Sequence, residues 1–535
     1  MAVVKEPDDT AVSAPFFAPI KETDRFLSTP PNLVEHGLRR NLIVLAIMLA
    51  VLLEILDTTI VNVALPTMQG SLGENFEDAS WIVTAYLIAV IVALPVVPWL
   101  ENLFGRRRYC VISILGFTLA SAACGASQSL SEIVFFRVLQ GLCGGGILTI
   151  ARSILRDTFP PEQIGRSQAL LALGAVVGPS VGPTVGGILT DQFSWRWIFF
   201  INVVPGVVSG LLLWWLLREP HRKSASADVV GFSFMIVGLG STQYVLQSGE
   251  LYDWFADMRI VVFSVLAVIF TVTFCVWELY AASHPIVELR MLRRRAVSMG
   301  SALSFGIGFT LFVGIVLCPQ FSQSLLGFTA TLSGNQVLVR ALSIAAFIPI
   351  AVTCLARLHV NPRFIMAAGF ALVGCGGFLS SAATTSTSDF WSFGWALAIG
   401  GFGFGLLFVP LSVAVLSAVP PSDTTKVSAM LSLFQQLGAS LSTAIMVTIV
   451  DRRTAFHLDH LAANITMSRP VIATLVHSHY SVHSIAQLVT REATTLGFAD
   501  ANLVGGICAL VLVPVALFFP TRKPPPAAAA TGALT

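Results

Sequence analysis

From about residue 41 onward the chain is a succession of long apolar stretches separated by short clusters of charge, glycine and proline. A helix needs about 17 to 25 such residues to cross a bilayer. Fourteen stretches fit, centred near Leu52, Ala89, Leu119, Leu142, Val177, Val208, Val237, Val268, Phe309, Phe347, Gly374, Leu406, Gly438 and Leu510; the shortest runs from Gly231 to Gln247. The pattern predicts an all-α polytopic membrane protein. Two segments align without gaps, LENLFGRRRYCVISILGF from Leu100 and LARLHVNPRFIMAAGFAL from Leu355, each placing an arginine (Arg108, Arg363) eight residues after its leucine and then an aromatic residue that opens a new span. Two like halves of six helices, with two further helices between them, account for fourteen, and transporters are often built from such repeats. The expected divisions are an N-terminal tail (1–40), a first bundle (41–217), the two extra helices with their linkers (218–280), a second bundle (281–519) and a disordered, low-complexity tail (520–535). Within the second bundle, 451–502 reads as a mostly polar extracytoplasmic connection with a few helix-like stretches.

Composition agrees, with 55% hydrophobic and 11% charged residues against about 25% charged in soluble domains. No basic face points to nucleic acid. The eight cysteines sit in or beside apolar runs without CxxC pairing and read as small core residues. Most of the 31 Lys and Arg fall in the tail and in alternate loops, which by the positive-inside rule puts both termini in the cytoplasm. The first forty residues hold no apolar run, so the first span is expected to direct insertion in place of a cleaved signal.

Charge inside the spans narrows the chemistry. The stretch LLEILDTTIVNVALP (Leu52 to Pro66) carries Glu54 and Asp57, and a carboxylate at the centre of a span costs roughly 2.5 to 3.5 kcal/mol. Three residues apart, they share a helix face, with Thr58, Val61 and Asn62 on or beside it. Asp57 lies about 24 Å along a helix starting near Asn41, still within the ~30 Å hydrocarbon core. Desolvation favours the neutral acid, so such a group can take up and release a proton as water access changes sides. A carboxylate that merely bonds a neighbouring helix is the alternative. Arg137, a turn and a half into its span, must find a carboxylate or carbonyls, or reach the outer headgroups. For Arg340, about eight residues into its span, three partners stand open: an anionic substrate, a carboxylate such as Glu54, or helix carbonyls. Five of the nine histidines (His457, His460, His477, His479, His483) fall in 451–502 without cysteines or acids in register, and read as solvated and not as a metal site.

These residues lie in motifs. LDTTIVNVALP (Leu56 to Pro66) resembles the first-helix signature of the fourteen-helix drug:proton antiporters of the major facilitator superfamily, the EmrB/QacA type. FFRVLQGLCGGG (Phe135 to Gly146) is similar to that family's fourth-helix motif, whose arginine, here Arg137, is linked to proton transfer. GAVVGPSVGPTVGG (Gly174 to Gly187) resembles the fifth-helix antiporter motif, associated with export; Gly178, Gly182 and Gly186 continue a stripe at every fourth residue, with Pro179 and Pro183 beside it. PWLENLFGRRR (Pro98 to Arg108) is similar to the loop motif after the second helix, with Gly105 at the turn and Arg106 and Arg107 able to latch the cytoplasmic side, although Pro98 and Leu103 depart from the family's Gly and basic residue. SWRWIFFINVVPG (Ser194 to Gly206) and HPIVELRMLRRR (His284 to Arg295) resemble two further segments of the branch. Where the family often places Arg before Gln-Leu-Gly, this chain has Gln435.

The resemblance implies the major facilitator fold of fourteen transmembrane helices in a cell membrane (the inner one in a Gram-negative cell). It implies a carrier, not an enzyme, needing no cofactor and driven by the proton gradient. Small amphipathic molecules would be exported, with Asp57, Glu54 and Arg137 coupling protons; from their own chemistry, Asn62, Arg340 (where the family more often has an apolar residue or proline) and Gln435 are expected in the cavity. In Gram-negative members the branch works with a periplasmic adaptor and an outer-membrane channel. No GxxxxGK[ST] occurs, which disfavours a nucleotide-driven pump. A metabolite-specific exporter or importer on the same fold, or a sensor or enzyme using the His-rich outer segment, are the alternatives.

Overall fold

In lipid every backbone amide must find its partner within the segment, so apolar runs of this length resolve as helices. The computed structural model describes residues 34–160, 163–218, 228–282, 285–420, 423–463 and 482–520, and among them the chain is helical throughout its apolar runs. The first half holds α1 (Gly37–Leu72), α2 (Phe76–Ala93), α3 (Val97–Phe104), α4 (Arg106–Ala126), α5 (Leu130–Gly144), α6 (Ile147–Thr158), α7 (Ile164–Gln192), the single turn α8 (Trp197–Phe200) and α9 (Val203–Leu216). Then come α10 (Val229–Ser248) and α11 (Met258–Val276). The second half holds α12 (Arg295–Ser324), α13 (Ala330–Ala356), α14 (Pro362–Ala383), α15 (Phe390–Gly405), α16 (Phe408–Leu416), α17 (Thr424–Ala463) and α18 (Val482–Leu517). Thirteen segments among the described residues are long and apolar enough to cross a membrane. The remaining expected span, near Val177, falls on α7, 29 residues long. The short run at Gly231 is α10.

Polar residues at the span ends set where helices begin. The side chains of Asn75, Ser129 and Asp389 accept hydrogen bonds from the first-turn amides of Asp78, Glu132 and Ser392. Gly105, at φ 86°, separates α3 from α4 in a conformation open to glycine and strained for other residues.

The repeat glimpsed at Leu100 and Leu355 extends through both halves. In the first, α1 packs on α7 and α9, α2 on α5, and α4 on α5 and α9; in the second, α12 packs on α17 and α18, α13 on α15, and α14 on α15 and α18. Even the seams correspond. Gly178, Gly182 and Gly186 abut Ile55, Thr59 and Ile60 of α1, while Gly308 abuts the Gln435 carbonyl and Gly438 the Phe305 carbonyl. The glycine stripe of α7 therefore closes a joint inside one half, while α7 also meets α13 of the other half, where Gly334 lies against Thr184.

The two inserted helices pair with each other and touch α2 and α17 through α10, with Trp81 stacked on Tyr244 at 5.4 Å. The most apolar stretch of the α11 span is only 11% buried, and its exposed Val265, Val268, Ile269 and Val272 suit it to face lipid.

Helix occupies both ends of 451–502, since α17 continues to Ala463 and α18 starts at Val482; residues 464–481, with His477 and His479, lie outside the described ones. Hydropathy falls at Asp451 because the helix leaves the apolar slab, not because it ends. With 40 and 36 residues, α17 and α18 are about 60 and 54 Å long, nearly twice the ~30 Å hydrocarbon core. Their polar ends bind each other, with Arg453 Nε 2.5 Å and His457 Nε2 2.8 Å from Asp500 Oδ2. His460 faces the Phe456 carbonyl and His483 faces Gln487. The two tails, 1–33 and 521–535, and His284 also lie outside the described residues.

Candidate functional site

Asp57 has no exposed surface, and Arg137 is 1% exposed. Asp57 of α1 and Arg137 of α5 meet where α2, α4 and the start of α9 also converge, through Ile82, Ser121 and Asn202. Arg137 Nη1 donates to Asp57 Oδ2 at 2.5 Å and to Gln140 Oε1 at 2.8 Å, and its Nε donates to the Ile82 carbonyl at 2.9 Å. The guanidinium also lies over the Tyr86 ring, 4.0 Å from its centroid. The second carboxylate oxygen, Oδ1, accepts from Gln140 Nε2 at 2.9 Å and from Asn202 Nδ2 at 3.4 Å. Asn202 is held in turn by Ser121 Oγ at 3.0 Å. Arg137 thus takes the carboxylate, one of the partners its depth requires, and does not reach the headgroups. A pair this dry persists only when its remaining donors and acceptors are satisfied.

Glu54, three residues earlier on α1, is 7% exposed and serves a different element. Its Oε2 accepts from the backbone N–H of Leu148 at 2.9 Å. That amide belongs to the first turn of α6, where helix N–H groups lack intrahelical partners and the dipole favours negative charge. Gly145 and Gly146 interrupt the ladder between α5 and α6, and Gly141 and Gly145 let α5 approach the α2 backbone at Tyr86 and Val90. One helix therefore carries two acids, of which Asp57 grips α5 and Glu54 grips α6.

From α6 the contacts cross to the other half. Arg152 Nη1 donates to Ser432 Oγ at 2.8 Å and Nη2 to Gln435 Oε1 at 3.4 Å. Thr149 Oγ1 reaches Ser432 Oγ at 3.2 Å, Thr425 Oγ1 donates to Ser153 Oγ at 2.9 Å, and Arg156 donates to Thr424. At this arginine-rich end the halves are joined. The loop motif sits there too: Arg106 Nε binds Glu101 Oε1 at 2.5 Å, Arg106 pairs with Asp157 of α6, and Arg107 covers the Trp214 ring at 4.8 Å. These arginines brace the first half internally, and the crossing bonds come from α6.

The remaining sequence-derived residues fall as follows. Asn62 is exposed on α1 beyond Asp57, its amide donating to the Thr58 carbonyl at 3.4 Å. Gln435 is half-buried against Arg152. Pro183 lies within α7, while the side chain of Pro179 is outside the described residues. Arg340 does not pair with Glu54: it lies inside the second half over the Phe404 ring, 4.8 Å from the centroid. Sequence reasoning missed Gln140 and Asn202, both inside quoted motifs, and the crossing partners Ser153, Thr424, Thr425 and Ser432. Gln140, Asn202 and Ser432 are polar side chains within apolar runs, common enough in packed helices to escape notice, while Thr424 and Thr425 sit in the polar stretch SDTTK.

Comparison with known proteins follows the same lines. Residues 47–443 match the Major Facilitator Superfamily model. The chain is 31% identical over 441 residues to the multidrug export protein EmrB of Escherichia coli (strain K12), covering 81% of this chain and 85% of that one. It is 30% identical over 506 residues to the fatty acid resistance protein FarB of Neisseria gonorrhoeae, covering 90% and 96%. Among solved structures, the human organic anion transporter MFSD10 superposes with a TM-score of 0.56 at 13% identity, covering 88% of this chain and 99% of that one. The proton:xylose symporter XylE gives 0.56 at 14%, covering 90% and 96%. At such identities the two structures speak for the fold.

Proposed function

We propose that this chain, which belongs to the major facilitator superfamily, is a proton-coupled exporter of amphipathic small molecules that works by alternating access. The observation that carries the reading is the dry Asp57–Arg137 pair with every oxygen of the carboxylate occupied. Protonating Asp57 would remove the charge that holds Arg137. The guanidinium stays charged and must then lean on Gln140, Tyr86 and the Ile82 carbonyl alone. A shift of α5 would be felt by α6, which Glu54 holds to the same helix α1, and α6 makes the bonds that join the halves. Proton occupancy at one buried carboxylate thereby biases which end is shut.

The excess of Lys and Arg at the joined end supports placing it, with both termini, in the cytoplasm. In that orientation the present state is closed inward, and Asn62 faces the outward side. The likeness to EmrB and FarB, named for multidrug export and fatty acid resistance, supports outward transport of amphipathic compounds. The projecting ends of α17 and α18 lie on the outward side and would offer a periplasmic adaptor its footing, with an outer-membrane channel beyond; co-purification with such an adaptor, with and without 451–502, tests this. The central experiment is dye efflux driven by an imposed pH gradient in cells lacking their own pumps. Asp57→Asn should abolish gradient-driven efflux at normal membrane levels of protein, and undiminished efflux would refute the coupling role.

A further inference from the structure

Where the first half holds an ion pair, the second half holds an arginine without its acid. Arg340 of α13 is 5% exposed, and its Nη1 has no hydrogen-bond partner. Among the described residues no carboxylate is paired with it. The repeat explains the position. Carrying the Leu100–Leu355 alignment back along both helices sets Arg340 opposite Ala85, next to Tyr86, whose ring supports Arg137. Aligning Gly141, Gly144 and Gly146 with Gly400, Gly403 and Gly405 sets Ala396 where Arg137 stands in the first half. Asn502 lies on the helix corresponding to α9, whose preceding Asn202 touches Asp57.

What the second half lacks in side chains it keeps as space. A cavity of about 40 Å³ is lined by Arg340, Thr310, Ser380, Ala396, Asn502 and Gly314, with further apolar residues around them. A water molecule needs about 10–15 Å³ on this measure, and drug-sized ligands occupy about 300–1,000 Å³, so the space suits one small ion and excludes the transported molecules. A guanidinium does not deprotonate, and an uncompensated charge in a dry interior is strongly unfavourable.

We propose that this cavity binds a small inorganic anion of halide size, chloride, which neutralises Arg340 as Asp57 neutralises Arg137. The site is in the opposite half from the proton-coupling pair and stands independently of it. The test uses the purified full-length protein in detergent, with thermal unfolding and the chloride NMR linewidth measured in sodium chloride and in sodium gluconate at equal ionic strength and pH. Chloride and bromide should raise the unfolding temperature by a few degrees over gluconate, and the chloride signal should broaden on adding protein. Arg340→Gln should remove both effects. Ala396→Asp, which supplies an internal carboxylate, should remove the halide dependence while Arg340 remains. Equal unfolding temperatures in the two salts with no broadening in the unaltered protein, or broadening that persists in Arg340→Gln, would overturn the site.

Discussion

Asp57 and Arg137 are held by a shell of neutral amides that adds no charge, and this sets what substitution should do. Arg137→Ala leaves a buried carboxylate without its cation, a change that costs about 3–5 kcal/mol, so the unfolding temperature of the purified protein should fall by many degrees. Replacing both members, Asp57→Asn with Arg137→Gln, should return much of that loss while leaving transport uncoupled. An Arg137→Ala protein as heat-stable as the parent would contradict the pairing. These two residues were legible in the sequence because a full charge inside an apolar run is unfavourable enough to demand a partner. Gln140 and Asn202 were not, since neutral amides there are tolerated for many reasons. The partner of Glu54 was hidden for another cause: a backbone N–H bears no residue letter, and only the glycines at 144 to 146 hint that a helix restarts beside it.

Among elements, the joint between α1 and α7 is the tightest test of the glycine pattern. A Cβ at Gly178 would come within 2.8 Å of Ile55 Cγ2, one at Gly186 within 3.0 Å of the Ile60 carbonyl, and one at Gly182 would strike Thr59. Gly182→Leu should therefore pry α7 from α1 and lower folded protein in the membrane severely, whereas Gly165→Ala, with nothing nearer than 4.0 Å, should be silent. Measuring monodisperse protein after detergent extraction distinguishes them; equal yields would show that the joint yields freely. Helix number and order could be read from hydropathy, because length and apolarity are what a bilayer selects. The ends of α17 and α18 could not, because hydropathy reports where a helix leaves lipid and says nothing about where its hydrogen bonds stop. The stripe on α7 was readable as a close contact, but its partner, α1 and not the opposite half, needed the fold.

For the whole molecule, the bonds between α6 and α17 define which way the carrier is closed. With Ser153 and Thr425 hydroxyls 2.9 Å apart, Ser153→Cys with Thr425→Cys should form a crosslink under oxidation that stops efflux and is reversed by reductant. Continued efflux by fully crosslinked protein would mean that this end never needs to open. The repeat was only faint in the sequence because the halves conserve pairings and close glycine contacts, not side-chain identity.

The make-up of that closure sets how hard it is to open. Its polar bonds come from hydroxyls, one amide and two arginines, and beside them Ile91, Val96 and Ala172 of the first half share one apolar cluster with Ile344, Met430 and Leu433 of the second. At a net ~0.5–1.5 kcal/mol for each bond, the set of them outweighs what a single unit of pH difference across the bilayer supplies, about 1.36 kcal/mol per proton. On the proposed proton coupling, one proton descending a one-unit gradient would not part this seam alone, so opening it would take several units of driving force or new contacts at the opposite face that offset those lost.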